Sequence, residues 1–247
     1  MIQQVLQILG FIFEGIGLVA GVTIASIVMK KDSRYIGNQM MAAAMILLGI
    51  YMGSILTYDI LFPFFQTQEW IVQVFYRIGV IALFFGTMFL FFTIQVMCQS
   101  SAWLTLKHTL PYAIGILAYS IAIWFIDFLE IVSGDQVNTQ AKIMIPLYIL
   151  IVGVLYFIIF SMIGLYRYGI RRSEGSRKRK MTNFFIGLVI SLLAIVINVL
   201  SNLLEDPLGI LDSIFFGTLA IAMIVMTFGF IGSQTDTPQD IKIDMHE

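Results

Sequence analysis

Residues 171–180 read RRSEGSRKRK, the one stretch of the chain where positive charge gathers: six of the ten side chains are Arg or Lys. The 247-residue chain as a whole carries a formal net charge of −1, so the cluster is local rather than part of a general affinity for polyanions. Apart from Tyr166–Tyr168 just before it, nothing basic and aromatic continues it, and nucleic acid is not expected as a partner. What flanks it is apolar sequence, about residues 143–166 before and 183–204 after. Each run has the roughly 20 apolar residues that a helix needs to cross a hydrocarbon core of about 30 Å. The cluster reads as the anchor between two membrane crossings, held by anionic lipid headgroups. The alternative is a docking site for an acidic cytoplasmic partner. Its charged residues are Arg171, Arg172, Arg177, Lys178, Arg179 and Lys180.

The same reading extends along the chain. Hydrophobic residues make up 59% and charged residues only 12%, against about a quarter charged in soluble domains, and the mean hydropathy is +0.93. The apolar runs are continuous rather than alternating, which favours helices over a barrel. Seven runs fall at about 5–29, 40–62, 71–97, 109–132, 143–166, 183–204 and 209–232. The expected fold is an all-α integral membrane protein, a seven-transmembrane helix bundle occupying residues 1–232. A short polar tail follows at 233–247.

Loop charge sets the expected orientation. Lys30, Lys31, Arg34, Lys107, Arg167, the six cations of the opening stretch and Lys242 all fall on one side, and Lys142 alone on the other. That bias places the N-terminus outside and the C-terminus in the cytoplasm of a cell-membrane protein. Helix 1 lacks a positively charged start and its apolar run is too long for a cleaved signal peptide. The single cysteine, Cys98, allows no intrachain disulfide and is read as a packing residue.

Ionisable groups inside spans are expensive and each calls for an explanation. Counting from the span ends at 1.5 Å per residue puts Arg77 and Asp127 at matching depths of about 9 and 8 Å, and Glu14 about 14 Å deep. Arg77 is expected to pair with Asp127 or Asp59, and Gln73 lies one turn above Arg77 on the same face. Glu14, with no cation near it in this scheme, is the candidate for a proton-sensitive group. On helix 6, Ser191, Asn198, Asn202 and Glu205 share one face. Two readings stand side by side. In one, Arg77 and an acid form a structural clasp. In the other, Glu14, Asp59, Gln73, Arg77, Asp127, Asn198 and Asn202 line an outer polar pocket for a small cationic or zwitterionic ligand. Gly10, Gly17 and Gly21 lie on the Glu14 face of helix 1, a small-residue pattern that permits close packing, within the chain or in a homodimer.

Other chemistries lack their residues. No lysine occurs in the last span, so a retinal Schiff base is not expected, and two histidines, His108 and His246, cannot build a buried zinc or haem site. No metal, cofactor or enzymatic activity is expected. A 3+1+3 arrangement of the spans keeps a small secondary transporter as an alternative, and a structural subunit of a membrane complex as another.

The second half carries an aromatic and Arg ending to helix 5 (YRYGIRR), a small-residue-plus-basic loop (SEGSRKRK), GLVI opening helix 6, and the proline-led turn EDPLG before helix 7. In these elements it resembles the seven-helix sensor region at the N-terminus of some prokaryotic histidine kinases. The resemblance implies a module that senses a ligand or the state of the membrane and passes a signal inward. It carries over no functional residue. Only about 15 residues follow helix 7 here, so the resemblance further implies output through a separate cytoplasmic signalling protein. The expected function is accordingly a sensor- or receptor-like module.

Overall fold

A computed structural model describes residues 2–61, 69–125, 129–132, 138–141, 144–203 and 210–233. Seven helices, each long and apolar enough to cross a membrane, make this a multi-pass membrane protein. They are α1 (Ile2–Lys31), α2 (Ile36–Leu61), α3 (Glu69–Gln99), α4 (Leu106–Phe125), α5 (Met144–Gly164), α6 (Gly175–Leu203) and α7 (Ile210–Ser233). Within a helix every backbone N–H finds a carbonyl in its own segment, which is what an apolar solvent requires. The expected tail lies almost wholly outside the described residues.

Two expected boundaries are corrected. Helix 4 stops at Phe125, short of the expected 132, and Leu129–Val132 (β1) pairs antiparallel with Asn138–Ala141 (β2), Leu129 opposite Ala141 and Val132 opposite Asn138. A short stretch such as Leu129-Glu130-Ile131-Val132, with two β-branched residues, continues a hydropathy run equally well as strand or helix. Helix 6 begins at Gly175, eight residues before the expected 183, because Lys and Arg are good helix formers. The cationic stretch is therefore mostly not a loop: Ile170–Arg172 forms a 3₁₀ turn, and Arg177–Lys180 lie in the opening turns of α6. Gly175 opens that helix at φ +56°, a conformation that suits glycine.

The helices pack in a ring, α1–α2–α3–α5–α6–α7 and back to α1, with α4 outside against α3 and α5. The Tyr119 hydroxyl donates to the Pro146 carbonyl at 3.1 Å and ties α4 to α5. α1 and α2 approach closely through glycines. A Cβ at Gly21 would sit 2.5 Å from the Met45 carbonyl and 2.8 Å from the Gly49 Cα. The small-residue face of α1 is thus used within the chain, against α2.

The connections that carry Lys30, Lys31, Arg34, Lys107 and the cations of residues 167–180 lie at one end of the bundle, called here the basic end; the opposite end is the acidic end. A dry core including Val28, Met41, Met45, Leu48, Ile94, Phe184, Leu188, Met223 and Phe230 fills the basic half. An aromatic layer of Tyr51, Phe215 and Phe216 closes it toward the acidic end.

Candidate functional site

Among the described residues, carboxyl groups from three helices come together in the acidic half. Glu14 of α1 is 1% exposed, Asp59 of α2 is half-buried, and Asp212 of α7 is exposed. The sequence-based depth of Glu14 is corrected by this arrangement. α1 has 30 residues, about 45 Å of helix, and overshoots the bilayer core. Glu14 consequently lies level with Asp59 and Asp212, two residues from the ends of α2 and α7. Contacts between α1 and α7 set that register: a Cβ at Gly10 would be 3.4 Å from the Ser213 hydroxyl, and one at Gly217 would be 3.3 Å from the Phe13 ring.

The carboxyl groups of Glu14 and Asp59 lie next to each other. Ionised carboxylates only accept, so a carboxyl–carboxyl bond requires a proton on one of the two. Asp212 lies within electrostatic reach of both, and its Oδ1 accepts from the Ser201 hydroxyl at 2.7 Å. Tyr51 is buried in the field of all three acids, and Tyr76 in that of Asp212. The Tyr58 and Tyr76 rings meet edge-on at 5.9 Å beside the cluster. Glu14 Oε2 is buried and has no hydrogen-bond partner among the described residues. Exposed Asp212, half-buried Asp59 and buried Glu14 form a graded series from the surface inward. Among the described residues no group of three or more His, Cys, Asp or Glu is disposed to hold a metal ion.

Arg77 points elsewhere. Its Nη1 donates to the Trp124 carbonyl of α4 at 3.2 Å, its Nη2 to Gln73 Oε1 at 3.1 Å, and the guanidinium lies 5.9 Å from the centre of the Trp124 ring. Gln73 lies one turn from Arg77 on α3, within hydrogen-bonding distance. Asp59, one of the two expected partners, turns to Glu14 instead; the other, Asp127, lies outside the described residues. Asn198 is half-buried one turn from Ser201 on α6; the Asn202 side chain is outside the description. Ser191 is buried and donates to the Gly187 carbonyl of its own helix.

At the basic end Arg171, Arg172, Arg177, Lys178 and Arg179 are exposed and Lys180 is half-buried. The Arg172 guanidinium lies 5.2 Å from the centre of the Tyr168 ring. Burial pushes the Tyr35 hydroxyl above its usual range, and the charge of Arg177 opposes that shift. The start of α6 therefore lies beside the α1–α2 connection. At the end of α5, Leu165–Gly169 forms one π turn.

Sequence reasoning picked out Glu14 and Asp59 but did not join them, and it left Tyr51 and Ser201 out of the site. A usable signal was present: Ser201, near the end of α6, and Asp212, in the first turn of α7, are only 11 residues apart in sequence. The chain matches no known protein-family profile and no curated protein sequence.

Proposed function

We propose that the protein is a seven-helix membrane sensor whose stimulus is the proton. The observation that carries this is the placement of buried Glu14 beside Asp59: two carboxyl groups this close can hydrogen-bond only while one of them is protonated. By the positive-inside bias the acidic end faces the exterior and the basic end the cytoplasm. External protons reach Glu14 by way of Asp212 and Asp59. Loss of the shared proton leaves two carboxylates side by side. At about 4 Å and an effective dielectric of ~20 their repulsion is about 4 kcal/mol. A bias of that size is enough to move most of a population between two helix packings. The elements displaced are α1, α2 and α7, and the α1–α2 connection carries the change to the cations at the start of α6, where a separate cytoplasmic partner reads it.

Sensing is favoured over transport by the packing between the two ends. The layer of Tyr51, Phe215 and Phe216 and the dry core beneath it separate the acids from the basic end. The test is infrared difference spectroscopy of reconstituted protein between mildly acidic and alkaline medium. A protonated-carboxyl C=O band that disappears at alkaline pH is expected in wild type and absent in Glu14→Gln. The same band unaltered by Glu14→Gln would defeat the proposal. Proton flux through proteoliposomes, abolished by that substitution, would favour the transporter instead.

A further inference from the structure

A second feature lies on a neighbouring face of α1, and its argument does not depend on proton sensing. Between α1 and α7 runs an apolar groove of about 650 Å³, walled by Ile12, Ile16, Val19 and Ile27 of α1 and by Ile224 and Phe228 of α7. Gly15 forms part of its floor, and a Cβ there would meet nothing within 4 Å. From Ile12 to Ile27 the groove follows α1 for about 22 Å, more than half of a hydrocarbon core of about 30 Å. An open apolar groove of this length suits one extended hydrocarbon chain.

Its mouth at the basic end is charged. Lys31 reaches from α1 across to α7, where its Nζ donates to the carbonyl of Ile231, itself a wall of the groove. Lys30 stands exposed beside it. An acyl chain entering here would carry its headgroup to two ammonium groups. We infer that the α1–α7 groove binds one acyl chain of an anionic phospholipid, whose headgroup is held by Lys30 and Lys31. An uncharged or zwitterionic lipid would gain the apolar contacts without the charge pairing. A basic side chain near an anionic lipid surface contributes about 1 kcal/mol, roughly fivefold in affinity per lysine.

Native mass spectrometry of the detergent-purified full chain tests this, titrated with phosphatidylglycerol and phosphatidylcholine of identical acyl chains. Wild type should retain one phosphatidylglycerol with about 25-fold preference. Lys30→Gln, at an exposed position that leaves the Lys31 bond in place, should cut that preference about fivefold while phosphatidylcholine binding stays as it was. Gly15→Phe, which fills the floor, should reduce retention of both lipids at least tenfold with an unchanged thermal midpoint. Equal retention of the two lipids by wild type, or an undiminished preference in Lys30→Gln, would overturn the inference. So would a two-copy species that Gly15→Phe dissociates, since the groove would then be a protein interface.

Discussion

Replacing Glu14 with Gln keeps the shape of the side chain and its hydrogen bond, because the amide can donate to the Asp59 carboxylate, but removes one of the two groups that compete for a proton. In wild type a hydrogen bond between the two neighbouring carboxyls needs that proton. Carboxyls of an unfolded, solvated chain have released theirs above about pH 5. The folded state then binds more protons than the unfolded one, so its stability falls as pH rises. Once the proton has gone, the pair repels by the ~4 kcal/mol estimated for two charges about 4 Å apart. For a chain of this size each kcal/mol moves the thermal midpoint by about 2–4 °C, so wild type should lose about 10 °C between acidic and alkaline buffer. Glu14→Gln should show a nearly flat profile and be the more stable protein at alkaline pH. The assay is thermal unfolding in detergent, followed by helical circular dichroism across that range. Parallel profiles for the two proteins would refute the reasoning, because the pH response would then come from groups other than this pair.

Two further outcomes follow from the packing. Arg77→Ala removes two charge-assisted hydrogen bonds and the contact with the Trp124 ring, and should cost about 2–4 kcal/mol; denaturant unfolding should show it, and Arg77→Lys should restore only part because it cannot reproduce the planar fork. Gly21→Leu drives a side chain into the Met45 carbonyl and the Gly49 backbone and should destabilise by about 1–3 kcal/mol, whereas Gly15→Leu, facing open space, should leave the thermal midpoint unchanged.

The architecture was legible in the chain because hydrophobic length is a local property. Seven apolar runs of span length survive any rearrangement of their neighbours, and the loop charges are counted without knowing which helices touch. Boundaries were less legible where hydropathy says nothing about backbone. Leu129–Val132 continues an apolar run yet pairs as a strand, and Arg177–Lys180 are polar yet helical. For the site, depth was inferred by assuming that every helix begins at the membrane surface. α1 runs beyond that surface, and Glu14 lies at the level of Asp59 instead of near the midplane.

Composition, run length and charge asymmetry thus determined that this is a membrane bundle of seven helices with cations gathered at one end. Which acid meets which was a matter of register and azimuth. Gly10 against Ser213 and Gly21 against Gly49 fix how far α1 slides along α7 and α2, and Arg77 turns toward α4 because Trp124 supplies both a carbonyl and a ring. Such contacts join residues far apart in the chain, and periodicity within a single helix cannot say which neighbour its polar face will meet.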